Sequence, residues 1–229
     1  MTVILLRHGR STSNTAHVLA GRSEGVDLDE RGREQADALV GRLGSLPIRA
    51  LVSSPLLRCM RTIEPLAAAL GVEPIVDERL SEVDYGQWTG RKLGDLASEP
   101  LWKVVQAQPS AAVFPGGEGL AQVQARAVTA VREHDRRLAD EQGGDTLWLA
   151  CTHGDVIKAV VADALGTHLD SFQRIVADPA STSVIRYTPM RPFVLHVNNT
   201  GDDLASGLKP PPAAGQVPAS DAVVGGSTE

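Results

Sequence analysis

Aromatic residues are scarce in this chain of 229 residues, since three Phe, two Tyr and three Trp make up 3% of it. So few scattered rings cannot build the base-stacking platforms of proteins that bind single-stranded nucleic acid. Positive charge is also short, because 28 acidic residues outnumber 22 basic ones and leave a net charge of −6. Binding to nucleic acid depends on neutralising its phosphates. We therefore expect no nucleic-acid partner.

The sequence also has few cysteines and no long apolar runs. Cys59 and Cys151 are the two cysteines of the chain, too few for a disulfide framework or a zinc pair. Neither begins the Cys-x5-Arg loop of a cysteine phosphatase. The first apolar run, residues 3–6, stops at Arg7, and no run has the length of a signal peptide or a membrane span. These absences predict a protein of the reducing cytoplasm with two buried thiols and no membrane partner.

Short apolar runs alternate with helical patterns over the first 199 residues, which is typical of a layered α/β domain with a largely parallel sheet. The predicted strands are residues 2–6, 50–53, 146–151, 183–187 and 193–197. The predicted helices are residues 30–44, 56–70, 118–142 and 156–165. Asp29 is a candidate N-cap of the first helix, while Gly71 and Gly143 are stop signals for the second and third.

The composition changes after residue 199. Residues 200–229 contain five Gly and four Pro, and they have no periodic apolar pattern. Four acidic residues and one lysine give this segment a net charge of −3, which leaves −3 for residues 1–199. We predict one catalytic domain over residues 1–199, followed by a flexible, acidic tail rich in Gly and Pro.

The most informative segment follows the first predicted strand. Residues 7–14 read Arg-His-Gly-Arg-Ser-Thr-Ser-Asn. Ligands of parallel α/β sheets bind beyond the carboxyl ends of the strands, so Arg7 and His8 should leave the core at the site. A fixed Arg disfavours a second positive charge and keeps His8 neutral, with one nucleophilic ring nitrogen. Arg7 offers donors to a phosphate, and Gly9 allows close approach. These residue types favour attack on phosphorus.

The pattern Arg-His-Gly-x-Ser-x-x-Asn resembles the first motif of the histidine phosphatase superfamily, in its phosphoglycerate-mutase-like branch. Three further segments match in family order: residues 53–62, residues 79–90 and residues 151–154. The sequence departs from the family at Cys59, where Ala is usual, and at Arg10, where Glu or Gln is common. The resemblance covers residue 2 to about residue 199. It implies an α/β fold, a three-layer α/β/α sandwich with a mostly parallel central sheet.

The resemblance also implies a two-step phosphoryl transfer through a phosphohistidine. His8 would attack phosphorus, and Glu82 would give a proton to the leaving group and later take one from water. The implied catalytic residues are His8, Glu82, Arg7, Arg58 and His153. The implied phosphate-binding and substrate-binding residues are Arg7, Asn14, Arg58, His153, Gly154 and Arg10. No metal and no other cofactor is implied. Asp84, two residues after Glu82, is the alternative acid.

Three functions remain open. A phosphomonoester hydrolase of small metabolites is favoured, because Phe-Pro-Gly-Gly-Glu-Gly at residues 114–119 resembles a Pro-Gly-Gly-Glu-Ser stretch of the branch's phosphatases, departing at Gly119. A cofactor-dependent phosphoglycerate mutase would carry an Arg-Arg pair that residues 86–119 lack. A non-catalytic phospholigand-binding regulatory protein would have lost His8, Glu82 or His153. The expected partner is a small phosphate monoester, and an exposed strand edge near residues 183 to 197 makes a homodimer a candidate assembly.

Overall fold

The computed structural model describes residues 1–201. One sheet contains the strands β1 (Thr2–Arg7), β2 (Ile48–Ser53), β3 (Ile75–Val76), β4 (Leu147–Thr152), β5 (Thr182–Tyr187) and β6 (Pro192–Asn199). The helices are α1 (Thr12–Thr15), α2 (Glu30–Leu43), α3 (Leu57–Leu70), α4 (Leu93–Leu96), α5 (Pro100–Ala107), α6 (Leu120–Gln142) and α7 (Gly154–Ala164). None of the helices in residues 1–201 is both long and apolar enough to cross a membrane.

The strands lie in the order β3-β2-β4-β1-β5-β6. Neighbours from β3 to β1 are parallel, whereas β5 pairs antiparallel with both β1 and β6. Among the strands in residues 1–201, β5 alone therefore runs against the rest. The prediction of a mostly parallel central sheet is confirmed.

Alternation along β1 shows why the sheet is covered on both faces. Val3 and Leu5 point to one face and join a core cluster built with α6 and α7, while Ile4 and Leu6 join a second cluster with α2 and α3. All four side chains are buried. Apolar residues at every position of a strand require apolar layers above and below it. The result is the predicted three-layer α/β/α sandwich.

Local sequence signals set the ends of the long helices. Asp29 caps α2 by accepting a hydrogen bond from the Gly32 amide at 2.7 Å. Gly71 and Gly143 end α3 and α6 with φ of 65° and 70°, in the left-handed region that favours glycine. These three boundaries are confirmed. Helix α7 begins at Gly154, two residues before the predicted start.

The segment between α3 and α6 differs most from the prediction. It contains the two-residue strand β3, the short helices α4 and α5, and three turns of 3₁₀ helix (Glu78–Leu80, Gly86–Trp88 and Pro109–Ala111). Elements this short show no clear apolar period, so the sequence pattern did not reveal them. The predicted tail, residues 200–229, lies outside the described residues apart from its first two positions.

The register of the central strands places the site. Ser53 of β2 lies beside Cys151 of β4, and Arg7 of β1 lies beside Thr152, so three parallel strands end at one edge. The Ser54 amide donates to the Cys151 carbonyl at 2.9 Å, which extends the ladder by one residue. The His8 amide does the same toward the Thr152 carbonyl at 3.0 Å. Ser54, His8 and His153 therefore leave the sheet side by side.

Candidate active site

His8 is buried, and one of its ring nitrogens faces a guanidinium. Nδ1 lies 2.7 Å from the Gly9 carbonyl oxygen. A carbonyl can only accept, so Nδ1 carries the proton and Nε2 carries the lone pair. Arg58 Nε donates to this Nε2 at 3.3 Å. Burial lowers the pKa of His8 most, and the charges of Arg58 and Arg7 lower it further. The ring is thus neutral, with Nε2 available as a nucleophile.

Gly9 has a packing role besides the close ligand approach that the sequence suggested, which stays a prediction. A Cβ at Gly9 would lie 2.7 Å from the Gly32 carbonyl oxygen in the first turn of α2. The Gly9 amide donates to Thr62 Oγ1 at 2.9 Å. The absence of a side chain therefore lets α2 press against the end of β1. This contact fixes the backbone that carries His8.

Arg58, at the start of α3, connects the two histidines. Besides His8, its guanidinium donates from NH2 to the Gly21 carbonyl at 2.7 Å and to His153 Nδ1 at 3.2 Å. Arg58 NH1 is buried and has no hydrogen-bond partner within residues 1–201. An unsatisfied buried guanidinium donor is costly, and a phosphoryl oxygen would satisfy it. Arg7 is also fully buried and donates from NH1 to the Ala177 carbonyl at 2.7 Å.

His153 precedes α7 and is completely buried. Its Nε2 lies 2.8 Å from Ser54 Oγ, and its ring centroid lies 5.1 Å from that of His8. Burial, followed by the charge of Arg58, lowers the pKa of His153, so this ring is neutral as well. Because a hydroxyl both donates and accepts, Ser54 can stabilise either tautomer of His153. The His153 Nδ1 can then accept from Arg58 or donate to a phosphoryl oxygen.

Glu82 is buried beside His153. Its Oε1 accepts from the Val83 amide at 3.0 Å, and its Oε2 lies 3.9 Å from His153 Nδ1. Burial and the carboxylate of Asp155 raise the pKa of Glu82 to about 7, against the opposing charges of Arg58 and Arg7. A carboxyl group with this pKa holds a proton near neutral pH and can act as a general acid.

The alternative acid, Asp84, lies elsewhere. Its Oδ1 accepts from the Gly86 amide at 3.0 Å and stabilises the turn that follows Glu82. The structure therefore brings Glu82, and not Asp84, together with His8, Arg58 and His153.

The sequence reasoning missed two residues of the cluster. Asp155, in the first turn of α7, is fully buried and accepts from the Tyr85 hydroxyl at 2.8 Å. Its other oxygen lies 3.4 Å from Lys158 Nζ. An acidic residue in a helix that is otherwise mostly apolar was the available signal. Ser54 lay within the motif segment around Arg58, but nothing in the sequence linked its hydroxyl to His153.

Asn14 and Arg10 are positioned by contacts within the protein. Asn14 Oδ1 accepts from the amide and the hydroxyl of Ser11, at 2.9 and 2.8 Å, so its amide nitrogen is the group left to serve as a phosphate donor. Arg10 Nε donates to Asp29 Oδ2 at 2.6 Å, which couples it to the cap of α2. Contacts of Asn14, Arg10 and Gly154 with substrate stay predictions. Within residues 1–201, no group of three His, Cys, Asp or Glu side chains is arranged to hold a metal ion.

The chain is similar to several known proteins. A model of the histidine phosphatase superfamily (branch 1) matches residues 3–200. "Phosphoserine phosphatase 1" of Hydrogenobacter thermophilus is 31% identical over 204 residues, covering 86% of this chain and 92% of that protein. "Probable phosphoglycerate mutase GpmB" of Photorhabdus laumondii is 31% identical over 190 residues, covering 82% and 85%.

A solved structure shares the fold. The mycobacterial glucosyl-3-phosphoglycerate phosphatase superposes with a TM-score of 0.79 at 26% identity, covering 86% of this chain and 98% of that one. The match of the family model begins one residue into β1 and includes the other five described strands and all four motif segments. The chain therefore belongs to the histidine phosphatase superfamily, branch 1.

Proposed function

We propose that the chain is a phosphomonoester hydrolase that acts on small phosphorylated metabolites through a phosphohistidine at His8. The observation that carries the proposal is the facing arrangement of a neutral His8 Nε2 and the buried guanidinium of Arg58, beside a Glu82 carboxyl that holds its proton near neutral pH. These three groups supply the nucleophile, the oxyanion contact and the acid that phosphoryl transfer requires.

In the first step, His8 Nε2 attacks the phosphorus, and an N–P bond forms as the bond to the ester oxygen breaks. The electron pair of that bond goes to the leaving oxygen, which takes the proton of Glu82. Arg58 NH1 and the charge of Arg7 stabilise the phosphoryl oxygens during transfer, so the proposal requires no metal. Each charge-assisted contact contributes roughly 1.5–3 kcal/mol.

In the second step, the Glu82 carboxylate takes a proton from water, and the water oxygen attacks the phosphorus. The N–P bond breaks, its electron pair returns to His8 Nε2, and inorganic phosphate leaves. Glu82 is protonated again and His8 is neutral again. Both residues are ready for the next substrate without any other proton carrier.

Hydrolysis is favoured over the mutase reaction by the charges of the middle segment. A mutase needs extra cationic contacts to hold a phosphorylated sugar acid. Here Arg91 pairs with Glu99 at 2.7 Å, and Lys92 and Lys103 are exposed. The segment thus offers no buried pair of cations for a carboxylate. A regulatory binding role is disfavoured, since His8, Glu82 and His153 are all present and clustered.

The test is hydrolysis of an aryl phosphate in the presence of a chelator, together with mass spectrometry of the quenched enzyme. We expect turnover and an acid-labile phosphate on His8. The variant His8→Ala should lose both, whereas the matched control His168→Ala, an exposed histidine, should keep both. Turnover that survives in His8→Ala would exclude the phosphohistidine. The mutase alternative is tested with 3-phosphoglycerate as the substrate. If the chain forms more 2-phosphoglycerate than inorganic phosphate, its function is that of a mutase and not of a hydrolase.

The proposed working unit is a homodimer that pairs through β6 in a reducing cytoplasm. β6 is at the end of the sheet, none of its eight residues is Asp, Glu, Lys or Arg, and it exposes Phe193, Leu195 and Val197. A second copy of the same strand can pair with it antiparallel about a two-fold axis without charge repulsion. The two free, buried thiols support the reducing compartment.

A further inference from the structure

The backbone of Glu82 is held by two arginines that the mechanism does not use. The Glu82 carbonyl oxygen accepts from Arg22 Nε at 2.9 Å and from Arg126 NH2 at 3.2 Å. Arg22 lies in the loop after α1, and Arg126 lies on α6. Two separate parts of the chain therefore meet at the peptide bond that follows the general acid.

Glu118 connects these arginines. Its Oε1 accepts from Arg22 NH2 at 2.9 Å and from Arg126 NH2 at 2.6 Å, while its Oε2 accepts from Arg126 Nε at 3.0 Å. The same Oε1 also accepts from the Asp84 amide at 2.9 Å. Bidentate carboxylate–guanidinium pairs have a fixed planar geometry. The bidentate pair fixes the orientation of Arg126, and the single contact of Arg22 with Oε1 holds it beside Arg126, so that both reach the Glu82 carbonyl.

The contacts extend along the whole acid-bearing segment, residues 79–84. Arg126 NH1 donates to the Arg79 carbonyl at 2.6 Å, and the Glu118 amide donates to the Asp84 carbonyl at 2.9 Å. Gly117 packs so closely on the Asp84 carbonyl that a Cβ there would overlap it. The segment is consequently fixed at its start, at Glu82 and at its end.

This cluster acts on the main chain and leaves the Glu82 carboxyl free for chemistry. The side chains of Glu118 and Arg126 are 17% and 18% exposed, so water screens their pairing only in part. Arg22 is 40% exposed and closes the cluster on the solvent side. Because both arginines donate to backbone oxygens of the acid-bearing segment, the cluster is expected to set the geometry of that segment.

We propose that Arg126, Glu118 and Arg22 are positioning residues for the general acid. They fix the peptide of Glu82 so that its carboxyl lies beside His153 and within reach of the leaving oxygen. The inference rests on the proposed function and deepens it, because it names the residues that position the proton-donating carboxyl group. Misplacement of a catalytic group by about 1 Å costs about a hundredfold in rate.

The experiment uses the dependence of kcat/KM on the leaving group. This ratio reports the steps up to formation of the phosphohistidine, in which an alkyl oxygen needs the proton of Glu82 and an aryl oxygen scarcely does. In the full chain, Arg126→Lys keeps the charge and loses the planar fork. We expect kcat/KM for a primary alkyl phosphate to fall about a hundredfold, with little change for p-nitrophenyl phosphate. Arg132→Lys, on the same helix and paired with Asp163, is the matched control and should change neither.

Glu118→Gln provides a second variant. In the double variant Glu118→Gln with Arg126→Lys, kcat/KM for the alkyl phosphate should fall no further than in the more impaired single variant, because both changes release the same segment. If Arg126→Lys or Glu118→Gln fails to fold, Arg22→Lys at the exposed side of the cluster replaces it in the same comparison. Equal losses for the alkyl and aryl substrates, or no loss for either, would overturn the positioning role while leaving the phosphatase function intact. A wild-type chain that hydrolyses neither substrate would overturn the proposed function itself.

Discussion

At the scale of single residues, the site depends on burial as much as on residue type. His8, His153 and Glu82 have ordinary side chains, and burial is the largest influence on the pKa of each. Burial disfavours charge, so it makes the histidines neutral and keeps the carboxyl protonated. A nucleophile and an acid are thereby ready at the same pH, whereas in water a glutamate has lost its proton at the pH where histidine is neutral.

Asp155 gives the first prediction at this scale. Its carboxylate raises the pKa of Glu82, so Asp155→Asn should lower that pKa. Glu82 is an acid only while protonated, and kcat/KM for an alkyl phosphate should fall as pH rises through its pKa. In the variant this fall should begin at lower pH, since the cations of Arg58 and Arg7 then act unopposed by Asp155. The pH profile of kcat/KM measures the shift, with the exposed Asp37→Asn as control. An unchanged profile would show that the charge of Asp155 does not influence Glu82.

The candidate catalytic residues could be named from the sequence because each of them lies in a short motif. The structure brings Arg58 into contact with His8 and His153 and places Glu82 beside His153, while their catalytic roles stay predictions. The residues that support them could not be found this way. Arg22 is far in the chain from Glu118 and Arg126, and it meets them only because the loop after α1 and the start of α6 pack on the same segment. No local pattern records such a contact.

At the scale of elements, the long helices and central strands were predictable because their burial patterns have a period. The segment between α3 and α6 was not, because long-range contacts determine its shape. Gly86, for example, has φ of 51° and packs against the Pro115 carbonyl, and the Gln87 amide donates to that same oxygen at 2.9 Å. A turn that depends on a loop almost thirty residues away has no signature of its own.

The cap of α2 gives the prediction at this scale. Asp29 accepts from Gly32, Thr15 and Arg10 at 2.6 to 2.7 Å. Asp29→Ala should reduce the free energy of unfolding by about 1–2 kcal/mol, measured by urea denaturation at neutral pH. Asp37→Ala, an exposed position on the same helix, is the control and should be neutral. An equal effect of the two changes would show that the cap does not stabilise α2.

The loss at Asp29 should depend on pH. Burial raises the pKa of Asp29, but hydrogen bonds from Thr15, Gly32 and Arg10 outweigh it, and the net pKa is lowered. A group whose pKa is lower in the folded state stabilises the fold above its unfolded pKa, and this contribution disappears as pH falls through the folded value. The difference between wild type and Asp29→Ala should therefore shrink in acid.

At the scale of the whole molecule, the charge is divided between two parts. Residues 1–199 carry −3, yet they enclose two buried arginines, Arg7 and Arg58, at the proposed phosphate site. The net charge of a chain therefore says little about the sign of its pocket. The net charge does influence which partners bind, because the negatively charged surface away from the site repels other negatively charged molecules.

Association through β6 is the prediction at this scale. Phe193, Leu195 and Val197 are 49%, 42% and 41% exposed, more than apolar side chains of a strand usually are. Wild type should sediment as a dimer, and Leu195→Lys should shift it toward the monomer by placing like charges across the two-fold axis. The control is Val113→Lys, at an exposed position far from β6 in the chain, and it should leave the dimer unchanged. A wild-type monomer at micromolar concentration would overturn the proposed assembly.

The reversal of β5 has a consequence for when the enzyme becomes active during synthesis. Because β5 runs against β1, it starts at the catalytic edge, and the segment before it crosses that edge. There the Ala177 carbonyl accepts from Arg7, and the Ala180 amide donates to the His8 carbonyl at 3.1 Å. All five proposed catalytic residues have been translated once His153 is added, yet this part of the candidate site is still missing. A ribosome-bound chain should therefore stay inactive until β5 has emerged and paired with β1, so that newly made enzyme gains activity only once its antiparallel strand is in place.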